Sequence, residues 1–128
     1  MNLLLKMSWI ILGCLFILAG LNHFRNPDTY LLLIPSYFPY PVFINIASGI
    51  IEIILGFSLL ISKTRKFSAW GIIILLICFI PAHIYMIQKA PFEMGALQIT
   101  VTIAWIRLVM QGFLILWAYV HTRNQVNC

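Results

Sequence analysis

The chain has 128 residues, 62% hydrophobic and only 9% charged, with a mean hydropathy of +1.01. A soluble domain carries about a quarter charged residues, so a water-soluble globule is excluded, and the length allows one domain. The net charge of +5 is no nucleic-acid signature, because the longest basic cluster is Lys63-Thr64-Arg65-Lys66 and no basic patch with interleaved aromatics exists.

A bilayer core of roughly 30 Å takes about 20 apolar residues per helix. Residues Met7 to Phe24 form the first such stretch, within a span of about 5–24. It follows Lys6 and looks superficially like a signal peptide, but the apolar run continues past Cys14 and no small-residue cleavage site ends it. It is read as a retained span. Residues Arg25 to Pro41 contain Pro27, Pro35, Pro39 and Pro41, which forbid a continuous helix because each lacks an N–H donor. With Tyr30, Leu31 to Ile34, Tyr37, Phe38 and Tyr40, this segment is too apolar for a solvated loop. It is expected to lie along the membrane surface and cap one end of a bundle.

Three further spans are expected at about Val42 to Ile61, Phe67 to Gln88 and Leu97 to Tyr119. The turns Ser62 to Lys66 and Lys89 to Ala96 are too short for anything but antiparallel neighbours. The fold class is thus an all-α membrane protein, a four-transmembrane-helix antiparallel bundle with a surface-lying, proline-broken segment between helices 1 and 2, filling residues 1–128 as a single domain. Lys6, Lys63, Arg65, Lys66 and Arg123 fall on the side of the termini against Arg25 and Lys89 opposite, which predicts cytoplasmic N- and C-termini. Trp9, Trp70 and Trp117 at that end and Tyr30, Tyr37, Tyr40 and Tyr85 at the other read as interfacial belts.

Ionisable groups inside spans are costly and need a partner or a cavity. Glu52 and Arg107 are the two clear cases. Counting ~1.5 Å per residue from the outer helix ends places them roughly 15 and 12 Å deep, so they are expected to meet. Asn45, Ser48, Gly49, Glu52 and Gly56 share one stripe of the second span, and Thr100, Ala104, Arg107, Gln111 and Ala118 one stripe of the fourth. Gly20, Asn22 and His23 add to this from the first span and His83, just after Pro81, from the third. Pro81 is expected to leave the Ile77 carbonyl without its helical donor. The candidate ligand-binding or buried polar cluster is therefore His23, Glu52, His83, Arg107, Gln111 and Asn22. A structural Glu52–Arg107 pair that only sets helix register explains the same residues.

No catalytic signature accompanies the cluster. Ser48 has no base nearby in sequence and no glycine-flanked elbow. No H-x-x-x-H or E-x-x-H spacing supports a metal, and Arg107 would oppose a cation. Cys14, Cys78 and Cys128 form no C-x-x-C pair. The chain is read as more suited to a non-enzymatic role than to catalysis on its own.

Taken together, several short pieces resemble the DoxX-like family of small bacterial membrane proteins over nearly the whole chain. They are Gly20-Leu21-Asn22-His23-Phe24 followed by Pro27, Tyr30, Pro35 and Pro39; Ser48-Gly49 with Glu52 and Gly56; Thr64-Arg65 with Trp70-Gly71; Pro81-Ala82 with Tyr85; and Arg107, Gln111 and Trp117. The resemblance implies a four-helix bundle in the bacterial inner membrane. It also implies a redox-linked, quinone-facing accessory role, since the family is named for its similarity to a subunit of an archaeal thiosulfate:quinone oxidoreductase. Partners would be the lipid bilayer and a partner oxidoreductase or a homo-oligomer, with quinone as the cofactor to consider. Asn often stands in such proteins where this chain has His83, a departure that adds a titratable group. Two alternatives stay open: a small proton-coupled transporter using Glu52, and a structural assembly partner.

Overall fold

The computed structural model describes residues 3–94 and 97–123. Its elements run α1 (Leu3–Arg25), α2 (Pro27–Leu33), α3 (Pro41–Leu60), α4 (Arg65–Cys78), α5 (Ile80–Lys89), β1 (Phe92–Met94), β2 (Leu97–Ile99) and α6 (Val101–Val120). The helices α1, α3 and α6 are each long and apolar enough to cross a membrane, and α4 with α5 makes a fourth such span of 25 residues. Buried residues make up only 28%, 28%, 28% and 17% of an apolar 18-residue stretch in each of the four, so most of each helix turns outward. What it turns outward is Leu4, Ile11, Leu18, Phe43, Ile54, Ile74, Val109, Phe113 and their like. Water would not tolerate that surface; lipid matches it.

The prolines between α1 and α3 start elements more than they break them. Pro27 and Pro41 sit in the first turns of α2 and α3, where a helix needs no N–H. A two-turn helix therefore fits where the sequence suggested only a broken segment. Pro35 is fully buried, its carbonyl accepts from Phe38 N at 3.0 Å, and Tyr40 enters α3 with a left-handed φ of 54°. Packed against α1, α3 and α5, α2 closes this end of the bundle.

The third span departs from the expected continuous helix over Phe67 to Gln88. It breaks at Phe79, whose N–H bonds both Leu75 O (3.0 Å) and Leu76 O (3.2 Å), and restarts with Pro81 in the first turn of α5. The turn after it also differs. The strands β1 and β2 pair antiparallel, with Phe92 opposite Ile99, Glu93 opposite Gln98 and Met94 opposite Leu97. Gly95 of that expected turn, like Cys128, lies outside the described residues. Thr100 then caps α6, its hydroxyl accepting from Ile103 N at 3.2 Å.

The tightest seam lies between α1 and α3. A Cβ on Gly20 would stand 2.6 Å from Gly49 O, and one on Gly56 would stand 2.7 Å from Gly13 O. Glycines seven residues apart on both helices thus bring backbone against backbone, antiparallel and in register. At the end holding the chain termini, Trp9, Leu12, Phe16, Leu59, Ala69, Ile72, Ile73, Leu75, Leu76 and Ala118 form a continuous apolar core. Toward the α2 end the core shrinks to Met86, Ile99 and Ala104, and polar residues take over.

Candidate functional site

In the half of the bundle that α2 closes, the helices pair off, α1 with α3 and α5 with α6, while α2 touches members of both pairs. The six candidate residues divide accordingly.

On the α1–α3 side the glycine seam brings His23 against α3. Side chains on helices lean toward their own N-terminus, so in this antiparallel pair His23 and Glu52 lean toward each other. His23 Nε2 lies 3.0 Å from Glu52 Oε2, and both side chains are more than nine-tenths buried. Glu52 is therefore answered by His23 and not by Arg107. Depth counting placed Glu52 and Arg107 at similar levels, but adjacency is decided by the glycines, which commit α3 to α1.

The proton inventory of this pair follows from its hydrogen bonds. Asn45 Nδ2 donates to the His23 carbonyl at 3.2 Å, which turns Asn45 Oδ1, an acceptor, toward His23 Nδ1 at 2.7 Å. Nδ1 must carry the hydrogen. Nε2 is then the ring nitrogen left to face Glu52 Oε2, at a distance short enough for one proton to lie between them. Above the imidazole, the Tyr30 ring stacks at 3.8 Å between centroids and 20° between planes. Asn22 Nδ2 donates to Tyr30 Oη at 2.8 Å, and Asn26 Nδ2 donates to Asn22 Oδ1 at 2.9 Å. Tyr30, Asn26 and Asn45 belong to this cluster although sequence reasoning left them out of the candidate set. Their signal was present in the spacing of Asn22 and Asn26 along one helix face and in the stripe containing Asn45.

On the α5–α6 side, Gln111 is buried and donates from Nε2 to Leu76 O at 2.8 Å. The carbonyl used is that of Leu76, one residue before the Ile77 carbonyl that Pro81 was expected to free, because the helix already breaks at Phe79. His83 is half-buried on α5, which packs against the α6 helix that carries Arg107 and Gln111. Its Nδ1 is fully enclosed with no hydrogen-bond partner among the described residues.

A third polar group, at the end holding the termini, was not anticipated. Arg65 was counted as a loop cation, yet it is 6% exposed. Its Nε donates to Leu59 O at 2.9 Å and its Nη2 to Leu60 O at 3.2 Å, while its guanidinium carbon sits 3.5 Å from the centre of the Trp9 ring. Trp117 Nε1 donates to Ser8 Oγ at 2.8 Å, and Ser8 Oγ meets His121 Nε2 at 3.0 Å. Trp9 is therefore buried in the interior, and Trp117, half-buried, is tied to Ser8. Burial, reinforced by the charge of Arg65, holds the His121 imidazole below its usual range. A neutral ring suits the geometry, since Ser8, having accepted from Trp117, can donate its own proton to Nε2.

Four apolar crossings, a lipid-matched exterior and polar groups gathered inside define a small polytopic integral membrane protein. The chain belongs to the family described as a domain of unknown function, DUF8561, which matches residues 12–122. Neither a curated protein nor a solved structure matches it.

Proposed function

We propose that this protein is a DoxX-like membrane subunit that binds a small lipid-soluble ligand beside the His23–Glu52 pair, with a quinone as the foremost candidate and a partner oxidoreductase as its context. The observation that carries the reading is the buried 3.0 Å contact between His23 Nε2 and Glu52 Oε2 inside a candidate membrane span, with the Tyr30 ring stacked on the imidazole. Ionisable pairs at this depth are costly to keep and are usual at proton-handling sites.

The residues suit a quinone. Such a ligand needs an apolar slot with a hydrogen-bond donor at its end. Tyr30 Oη already accepts from Asn22 and keeps its own proton to give to a carbonyl oxygen. Leu31 to Ile34 of the same segment supply apolar surface, and His23 with Glu52 would hold a proton within one ring of that donor. A bound quinone would supply two-electron, two-proton redox chemistry; the protein supplies position and a proton store.

The test is quinone binding by the purified protein together with growth under oxidative stress. Tyr30→Phe is expected to weaken binding about tenfold, as the loss of one buried hydrogen bond implies. Glu52→Gln is expected to impair growth under oxidative stress. Unchanged binding in a folded Tyr30→Phe protein, or wild-type growth of Glu52→Gln, would sink the redox reading.

A second reading, small proton-coupled transport, draws on the same contact. It predicts proton-driven efflux from proteoliposomes that disappears in Glu52→Gln. If Glu52→Ala instead lowers only the protein level, the pair is an assembly device.

A further inference from the structure

At the end holding the termini Trp9 is buried and Trp117 is tied to Ser8, but Trp70 is exposed on α4. Its ring meets that of Tyr119, exposed on α6, edge to face at 6.0 Å between centroids and 86° between planes. The Arg123 guanidinium carbon lies 5.6 Å from the centre of the Tyr119 ring, within cation–π range. Lys66, also exposed, stands one helical turn before Trp70 on α4 and so on the same face. Two cations thus flank an aromatic pair that joins two helices.

The patch lies where two apolar spans end. Lys66 is in the first turn of the span Arg65–Lys89, and Arg123 follows just beyond the span Val101–Val120. Neither Trp70 Nε1 nor Tyr119 Oη has a hydrogen-bond partner among the described residues. Rings with one polar tip left over suit the boundary between hydrocarbon and water. No acidic side chain answers the two cations. The chain's three are Asp28 in α2 and Glu93 in β1, both toward the opposite end, and Glu52, engaged with His23.

We infer that Lys66, Trp70, Tyr119 and Arg123 form a docking surface for the headgroup of an anionic phospholipid. The phosphate takes a planar fork from Arg123 and a point charge from Lys66, and the indole and phenol tips add donors. Ile74 and Leu116, exposed one turn deeper on the same two helix faces, offer apolar surface to the acyl chains. A zwitterionic lipid carries its own cation beside its phosphate and gains less from a surface with two positive charges and no negative one. The surface is separate from the pair proposed as a ligand site around Glu52 and does not depend on it.

The competing account is a diffuse attraction between an anionic leaflet and every cation of this end, which requires nothing of Trp70 or Arg123 in particular. The test places the full chain in phosphatidylcholine vesicles with a minority of phosphatidylglycerol. Bromine on the acyl chains of one lipid or the other quenches tryptophan fluorescence and reports which lipid stands beside it. Phosphatidylglycerol should be preferred by about tenfold or more, since each cation at an anionic surface is worth about fivefold. The preference should be largely lost in Trp70→Phe, which removes the reporting ring. Arg123→Gln and Lys66→Gln, surface changes that keep Trp70, should each lower it severalfold. Lys6→Gln, which removes an exposed cation of the same end from α1, should change it by less than about twofold. Equal quenching by the two lipids overturns the inference. So does a preference that survives in Trp70→Phe, or one that Lys6→Gln lowers as much as Arg123→Gln. A preference abolished by inorganic phosphate at constant ionic strength assigns the surface to a free anion and overturns the lipid.

Discussion

Replacing Gly20 by Ala places a methyl group 2.6 Å from Gly49 O and 2.6 Å from Ile53 Cγ1. Both distances are about 0.9 Å short of the ~3.5 Å at which non-bonded atoms settle. The obstacle is partly main chain, so no side-chain rotation relieves it, and α1 must draw back from α3. Overpacking of this kind costs about 1–3 kcal/mol. The same retreat lengthens the 3.0 Å contact between His23 and Glu52, one turn away. Gly112 is the internal control, because a Cβ there meets nothing within 4 Å. Gly112→Ala should therefore be neutral or slightly stabilising, helped by the roughly 1 kcal/mol preference of Ala over Gly in a helix. Unfolding followed by helical circular dichroism in mixed detergent micelles compares the two. A Gly20→Ala protein as stable as wild type, or a Gly112→Ala protein equally weakened, would refute the close-packed seam.

Ser8→Ala strands Trp117 Nε1 and leaves His121 Nε2 without its donor, so a loss of about 1–2 kcal/mol and a shift in tryptophan emission are expected. Arg65→Lys keeps the charge but gives up the fork onto Leu59 O and Leu60 O. A loss of about 1.5–3 kcal/mol in the same unfolding assay is the expected outcome. For His121 the folded state favours the neutral ring, so the unfolded chain binds more protons as pH falls through the ordinary histidine range near ~6.5. Stability should be full above that pH and decline below it, and the decline should be smaller in His121→Gln, as thermal unfolding between neutral and mildly acidic pH would measure.

The four crossings were legible because span length and apolar run are nearly the same observation. The helix boundaries moved by only a few residues, except where local chemistry intervened. Pro81 was visible as a disturbance, but the chain yields two residues earlier, at Phe79, where one N–H is shared between two carbonyls. The short hairpin also had a trace in its alternation, Phe92-Glu93-Met94 against Leu97-Gln98-Ile99, too brief to set against a plain turn. Depth from a helix end located Glu52 and Arg107 but could not say which helices touch. The seven-residue spacing shared by Gly13 and Gly20 with Gly49 and Gly56 was the clue that α1 and α3 are neighbours, and it leads directly to His23. Arg65 was illegible for a different reason: a cation in a short turn looks the same whether it meets phosphate headgroups or folds back over a tryptophan.

Asn45 holds the far side of the His23 ring with an amide oxygen, and an amide cannot receive a proton there and pass it on. The imidazole is thus open to exchange through Nε2 alone. A histidine in a proton wire takes a proton on one nitrogen and releases it from the other; this one is a room with a single door, shared with Glu52. If the pair exchanges a proton as proposed, that proton leaves by the side on which it entered, because Asn45 closes the other.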